Sequence, residues 1–293
     1  MRHVFALTAC LLILGACDSK PAIETEATET GEEPLRIVTL APHLAELVFA
    51  VGAGDRLVGV SSFTDFPEAA SERPVVSDAF VTDLELLAVL QPNLLLAWES
   101  GTPAHVIDNL RGAGYRVEVV RSRSLDEVAD ALEDVGELTG HPGTGHELAN
   151  DFREGIAARR ALHAGSPAIR VFYQISMRPL YTINADHYIS ELIDVCGGQN
   201  VFSDLVDLAP MVAVEAVIER DPEVLLAGDV GQDDTFDEWK RWPQMAANRY
   251  ANRFLLPATE LGRPTPRLLV AADAMCDALD EARDNRTRVE VAR

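Results

Sequence analysis

The segment LELLAVLQPNLLLA at 84–97 decides the fold, because the segment VEAVIERDPEVLLA at 214–227 repeats its pattern. Each copy predicts a short helix, a turn at a proline (Pro92 or Pro222) and a buried apolar strand. The repeat therefore predicts an α/β protein built from two units of similar topology. A chance likeness between two helix–strand patterns is the alternative.

A second, weaker pair of segments supports two lobes. A strand at 36–40 leads to an apolar helix and Gly52, and a strand at 170–175 leads in the same way to Gly197. Because both pairs keep the order of their elements, we predict an N-terminal α/β lobe over 35–140 and a C-terminal α/β lobe over 168–293.

A single long helix is predicted between the lobes, within 141–167. Thr144 and Glu147 form a capping-box pattern, apolar residues follow at helical spacing, and Pro167 stops the pattern. About five turns would span roughly 30 Å and hold the lobes at a nearly fixed separation. Near the other end of the chain, Thr265 and Pro266 predict the cap and first turn of a closing helix.

The start of the chain has the features of an export signal. Residues 1–16 combine a positive residue, a short apolar run and small residues, which is typical of a secretory signal peptide. The run LGAC at 14–17 resembles the lipobox of bacterial lipoproteins, and that resemblance implies cleavage before Cys17 and acyl chains that anchor it. Asp18 resembles an inner-membrane retention signal, so we expect an anchor on the periplasmic side of the inner membrane. An ordinary signal peptide with an incidental cysteine is the alternative.

Composition restricts the rest of the chain. Residues 17–34 are acidic, with little to bury, and predict a flexible tether after the lipidated cysteine. No long apolar run follows, so we expect the remainder to be soluble. The net charge is −22, with 47 acidic and 25 basic residues, which argues against nucleic acid and anionic lipid surfaces as partners.

Four cysteines fall into three groups. Cys10 leaves with the signal peptide, Cys17 is the lipidation site, and Cys196 and Cys276 remain. An even pair in an oxidising compartment favours a disulfide, and two buried free thiols are the alternative. Neither cysteine has a partner at metal-ligand spacing, so we expect no directly bound metal.

No pattern in the chain indicates an enzyme. The sequence has no Gly-x-Ser-x-Gly elbow, no His-Glu-x-x-His and no phosphate loop. The glycines of 52–54 follow a helix instead of opening one, so they do not fit a dinucleotide site. We expect a binding protein with no cofactor of its own.

The chain resembles the periplasmic substrate-binding proteins of ABC importers for cobalamin, ferric siderophores and haem, most closely the cobalamin-binding members. The resemblance covers 35–285, and its most specific blocks are VSSFTDFP at 60–67, the segment 84–98, VCGGQNVF at 195–202 and PTPR at 264–267. It implies two lobes joined by one rigid helix, a ligand cleft between them and a disulfide between Cys196 and Cys276. It also implies a monomer that delivers its ligand to a permease dimer with ATPase subunits.

The resemblance implies an aromatic cleft. A corrin is a broad, mostly apolar disc that suits aromatic faces, and the positions that match are Phe63, Phe66, Phe80, Trp98 and Tyr181. Ordinary lobe core is the alternative for each aromatic residue.

Two departures from the pattern of the cobalamin-binding members weaken the assignment of the ligand. Ala209 replaces an expected tryptophan, and the loop at 259–263 is reduced. Cobalamin or a related corrinoid is the leading ligand; the alternative is a ferric siderophore or haem, for which Arg178, Arg263 and Arg267 are candidate contacts.

Two histidines carry a further hypothesis. His43 follows the first strand of the N-terminal lobe, and His187 has a similar place in the C-terminal lobe. Imidazole suits cobalt or iron, so one of them is expected to approach the ligand's metal. Histidines at helix starts, bonded to backbone or water, are the alternative.

Transporter docking is expected to use one glutamate on each lobe. Glu215 matches the position in the C-terminal lobe, whereas the matching position in the N-terminal lobe is Ala104. Glu99 is the nearest substitute, and Glu85 is the repeat partner of Glu215. Large lobe closure is not expected, because one continuous helix resists hinge bending.

Overall fold

A five-stranded parallel sheet forms the centre of the N-terminal lobe. The order of its strands is β3-β2-β1-β4-β5. The strands are β1 (Ile37–Thr39), β2 (Leu57–Ser61), β3 (Val75–Ser77), β4 (Leu94–Trp98) and β5 (Val117–Val120). The connecting helices are α1 (Pro42–Ala50), a 3-10 turn (Gly54–Arg56), α2 (Glu68–Ser71), α3 (Leu84–Leu90), α4 (Ala104–Gly112) and α5 (Leu125–Thr139).

The computed structural model describes residues 34–78, 81–232 and 234–292. The predicted signal peptide, Cys17, almost all of the tether and Phe80 therefore lie outside the described residues. Leu35–Arg293 form one compact unit, and the lobe boundaries at 140 and 168 stay predictions. None of the helices in the described ranges combines the length and apolar character needed to cross a bilayer.

Helix α6 (Pro142–His163) follows the first sheet and has 22 residues, a length of about 33 Å. The predicted capping box at Thr144 is wrong, because the helix begins two residues earlier and no side chain caps it. Pro142 occupies the first turn, where its missing N–H costs nothing and its fixed φ suits a helix. A Cβ at Gly145 would lie 2.6 Å from the Leu132 carbonyl oxygen, so glycine permits the close approach of α5 and α6.

A four-stranded parallel sheet forms the centre of the C-terminal lobe, in the order β11-β10-β6-β9, with a separate antiparallel hairpin β7-β8. The strands are β6 (Ile169–Gln174), β7 (Ser176–Met177), β8 (Leu180–Tyr181), β9 (Gly198–Asn200), β10 (Val224–Asp229) and β11 (Arg253–Pro257). The helices are α7 (Tyr188–Val195), α8 (Val214–Arg220), a 3-10 turn (Glu238–Arg241), α9 (Ala246–Arg249), α10 (Ala258–Gly262) and α11 (Leu268–Val291).

The sequence repeat corresponds to equivalent elements of the two sheets. In the first copy α3 leads to β4, and in the second α8 leads to β10. Both helices end at a left-handed residue before the proline, Gln91 with φ 45° and Asp221 with φ 43°. The predicted α/β class with parallel sheets is confirmed.

Two features tie the closing helix α11 to the rest of the chain. Cys276 in α11 forms a disulfide with Cys196, directly after α7, so these cysteines are not free thiols. The predicted cap at Thr265 is wrong: α11 begins at Leu268 without a side-chain cap. The Thr265 hydroxyl instead donates to the Glu46 carboxylate in the N-terminal lobe.

Candidate ligand-binding site between the two sheets

The strand order of the first sheet identifies a crevice. The chain runs outward from β1 to β3 and returns beside β1 as β4, and ligands of such sheets bind beyond the carboxyl ends of the strands at this switch point. His43 follows β1, and Trp98 ends β4. Their rings meet edge to face with centroids 4.9 Å apart, so this aromatic pair occupies the switch point.

Trp98 is held in one orientation while part of its surface stays exposed. Its indole Nε1 donates to Ser122 Oγ at 3.0 Å. A Cβ at Gly101 would lie 2.0 Å from Trp98 Cε3, so the indole packs directly against the glycine backbone. A fixed, partly exposed indole offers a preformed apolar face to a ligand.

His43 lies beneath Trp98 and is 3% exposed. Its Nε2 is buried and makes no hydrogen bond to a described residue. Burial, together with the positive charge of Arg263, lowers the pKa of His43 to about 3, so the ring is neutral. In this conformation the buried Nε2 does not reach the open cleft, and the ring supports the tryptophan.

The segment 62–67 after β2, here called the aromatic loop, presents two phenylalanines to solvent. Phe63 is 86% exposed and has a left-handed φ of 64°. Phe66 is 45% exposed, and the Arg267 guanidinium lies 4.1 Å from the centroid of its ring. Large apolar side chains clustered in one exposed loop are typical of a binding surface.

The C-terminal lobe has exposed apolar side chains at the same edge of its sheet. Its switch point lies between β6 and β10, and these strands are followed by the exposed residues Ile175 and Val230. Tyr181 is partly exposed and forms a β-bridge with the exposed Met211, and Val206 in the same connection is also exposed.

Arg263 connects the two sheets at the ends where their parallel strands terminate. It directly follows α10, which follows β11, and its Nη2 donates to the Phe63 carbonyl oxygen at 3.0 Å. Its Nη1 donates to Glu46 at 2.8 Å and also to Asp65, and the hydrogen bond to Asp65 is the main cause that lowers the pKa of that carboxyl. Segments beyond the carboxyl ends of both sheets therefore contact each other at Arg263.

The second candidate histidine has a structural role. His187 caps α7, with Nδ1 accepting from the Ile189 N–H at 3.2 Å, and its ring lies 4.6 Å from that of Tyr188. Burial lowers the pKa of His187 to about 4. This arrangement is the backbone-bonded alternative that the sequence left open.

The candidate docking carboxylates differ in their surroundings. Glu215 is exposed at the second position of α8, and Glu85 is exposed at the same position of α3. Glu99 is paired with Arg123 through two hydrogen bonds of 2.7 and 2.5 Å. Of these two candidates in the N-terminal lobe, Glu85 is therefore less engaged than Glu99, and it is the structural equivalent of Glu215.

Several residues of the site carried no recognisable signal in the sequence. They support the predicted aromatics or add apolar surface, and they are Glu46, Gly101, Ser122, Ile175, Val206, Met211 and Val230. Ala209, where a tryptophan was expected, lies in this connection, but no pattern in the sequence indicates that Met211 is exposed. Among the described residues, no group of three or more histidine, cysteine, aspartate or glutamate side chains could hold a metal ion directly.

Comparison with known proteins assigns the class. The profile of the periplasmic binding protein family matches residues 37–258, and the chain belongs to this family. Its relatives are binding proteins, so it is a substrate-binding protein and not an enzyme.

Individual relatives are more specific. The chain is 32% identical over 272 residues to the vitamin B12-binding protein of Vibrio parahaemolyticus, covering 92% of this chain and 98% of the relative. The crystal structure of the vitamin B12-binding protein BtuF of Vibrio cholerae has a TM-score of 0.77 at 33% identity, covering 85% of this chain and 97% of that one. The haem-binding protein RhuT of Roseiflexus sp. RS-1 has a TM-score of 0.75 at 25% identity, covering 85% and 100%.

Replacing Gly101 with alanine should displace the Trp98 indole, because the new Cβ would overlap Cε3. We expect a loss of about 1–3 kcal/mol in the free energy of unfolding. We also expect a changed Trp98 fluorescence emission, which is isolated by subtracting the spectrum of Trp98→Phe. The control is Gly112→Ala, whose Cβ meets no described atom within 4 Å beyond its own helix backbone and chain neighbours. An unchanged Trp98 spectrum in Gly101→Ala would contradict the packing described here.

The lowered pKa of His43 makes stability depend on pH. Between pH 6.5 and about 3 the unfolded state binds a proton that the folded state does not. The free energy of unfolding should therefore fall on acidification, by about 1.4 kcal/mol per pH unit for this group. The free energy of unfolding, measured with urea between pH 6 and 4.5, should depend less steeply on pH in His43→Gln than in the unmodified protein. The difference should correspond to about one bound proton. His105→Gln, at an exposed histidine on α4, is the control, and equal slopes for all three proteins would refute the assignment.

Proposed function

We propose that this protein captures cobalamin or a related corrinoid in the interlobe cleft and delivers it to an ABC importer. The observation that carries the proposal is that exposed apolar side chains follow the carboxyl ends of the strands in both sheets, with the partly exposed Trp98 at the switch point of the first sheet. A broad, mostly apolar disc matches such a surface. The vitamin B12-binding relatives support the same ligand.

The pairing of charges favours a corrinoid over the alternative ligands. Arg263 is engaged by Glu46 and Asp65, and Arg267 is engaged by Glu46 and Glu260. Arg178 is mostly exposed and lies 3.5 Å from Glu238. Anionic ferric siderophores and the propionates of haem need unpaired positive charge, which these arginines offer only in part.

The C-terminal lobe supplies apolar area where the family's tryptophan is absent. Ala209 leaves that position small, but Met211, two residues further on, is 67% exposed. A methionine side chain is flexible and polarisable, so it adapts to an irregular ligand surface. A related corrinoid with a different periphery is therefore as good a candidate as cobalamin itself.

The position at the membrane is proposed from the sequence. We assign Cys17 as the lipidated residue, with 18–34 as the tether and the folded part as a monomer on the periplasmic side of the inner membrane. Two or more acyl chains are enough for stable anchoring.

Trp98 is expected to dominate the affinity for cobalamin. Calorimetric titration of the protein should give saturable binding of cobalamin, and Trp98→Ala should weaken it about tenfold or more, since one lost aromatic contact is worth about 1.4 kcal/mol. The control, Trp242→Phe, changes a tryptophan packed against the core of the C-terminal lobe and should leave the affinity unchanged.

Parallel titrations use haem and a ferric siderophore. Tighter binding of either would replace the corrinoid proposal, and no saturable binding of any ligand would overturn it.

Docking on the transporter is expected to use Glu215, with Glu85 as its counterpart. Glu215→Lys should reduce the ATP hydrolysis that the loaded protein stimulates in its reconstituted transporter, because a carboxylate facing arginines becomes a repelling cation. Glu281→Lys, at an exposed position on α11, makes the same change in net charge elsewhere and is the control. Equal stimulation by both variants would remove Glu215 from the docking surface.

A further inference from the structure

A buried carboxylate lies at the junction of the lobes. The side chain of Glu46, on α1, is 3% exposed. It accepts hydrogen bonds from Arg263 Nη1 at 2.8 Å, Thr265 Oγ1 at 3.2 Å and Arg267 Nη1 at 3.4 Å. All three donors come from one segment of the C-terminal lobe, and a buried carboxylate requires such donors to offset its lost hydration.

The same two arginines hold the aromatic loop. Arg263 donates to the Phe63 carbonyl oxygen and to the Asp65 carboxylate. The Arg267 guanidinium lies over the Phe66 ring, with its Cζ 4.1 Å from the centroid. Each arginine therefore contacts Glu46 on one side and the loop on the other.

The loop needs external support to keep its shape. Phe63 has a left-handed backbone, which is unfavourable for a residue with a Cβ, and its ring is almost fully exposed. Such a conformation persists only when surrounding contacts impose it. Arg263 and Arg267 provide such contacts to the loop from the C-terminal lobe.

We propose that Glu46 is the positioning residue of the aromatic loop: it orients Arg263 and Arg267, which in turn fix Phe63 and Phe66 in the geometry that contacts the ligand. This inference rests on the proposed binding function and adds a residue that does not touch the ligand. It makes the shape of the cleft rim depend on a contact between the lobes.

Glu46→Gln keeps the size of the side chain and removes its charge. Using the full chain, we expect cobalamin to dissociate about tenfold faster from this variant in stopped-flow displacement, a size typical of coupled neighbouring residues. The matched control is Glu223→Gln. Glu223 is also buried and bonded to an arginine, Arg286 at 2.9 Å, but it lies wholly within the C-terminal lobe. The control should lose stability without changing the dissociation rate.

A double-mutant cycle separates positioning from general destabilisation. If Glu46 acts through the loop, Glu46→Gln should have little further effect on dissociation in a protein that already carries Phe63→Ala and Phe66→Ala. Equal effects in both backgrounds would show that Glu46 acts on the fold alone and would overturn the proposal.

Two further measurements cover the remaining outcomes. If Glu46→Gln fails to fold, Arg267→Lys is tested in its place. This variant retains the charge beside Glu46 but loses the planar group over Phe66, so cobalamin should again dissociate faster. An unchanged rate would overturn the proposal. If the unmodified protein does not bind cobalamin, the proposed function fails, and hydrogen exchange still tests Glu46 without a ligand. The backbone amides of 62–66 should exchange faster in Glu46→Gln than in Glu223→Gln, and equal exchange would overturn the inference.

Discussion

The pairing of Arg263 with the buried Glu46 carboxylate is the interaction on which the cleft depends. It joins the segment after α10 to helix α1, and through Asp65 and Phe63 it reaches the loop after β2. A second polar contact lies on the far side of the first sheet, where Glu191 of α7 accepts from the Leu125 N–H at 2.8 Å. The first contact reaches the loop after β2, and the second lies after β5. Since β2 and β5 lie on opposite sides of the β1–β4 pair, the two contacts lie on either side of the switch point that His43 and Trp98 occupy.

The distribution of charge gives the cleft and the outer surface different roles. The whole chain has a net charge of −22, yet the charged residues at the junction of the lobes, Glu46, Asp65, Glu260, Arg263 and Arg267, are bonded to one another. His43, which packs against Trp98, is neutral. Inside the cleft we therefore expect shape and apolar contact to contribute more to ligand affinity than net charge does. On the outside, exposed carboxylates such as Glu85 and Glu215 attract basic surfaces at long range.

Local patterns predicted the elements better than their ends. The helix–strand repeat was readable because buried parallel strands are continuous apolar runs. Both capping predictions failed for tertiary reasons, since Pro142 starts α6 before Thr144 and Thr265 bonds Glu46. The aromatic residues could be assigned to strand ends, but the position of His43 beneath Trp98 depends on side-chain packing between two strands. Glu46 could not be predicted, because its partners lie more than 200 residues away.

A cleft bounded in this way selects its ligand mainly by the shape it already has. Helix α6 is continuous over 22 residues, and the polar contacts of Glu46 and Glu191 cross between the lobes on both flanks. A hinge motion that separates the lobes would have to break these contacts, and the buried Glu46 carboxylate would then lose the donors that compensate its burial. The rim side chains are exposed, so replacing them disturbs the lobes less than a core substitution would. Differences in specificity among proteins of this architecture are therefore expected to arise from rim side chains such as Phe63 and Met211, with the two sheets serving as a common frame.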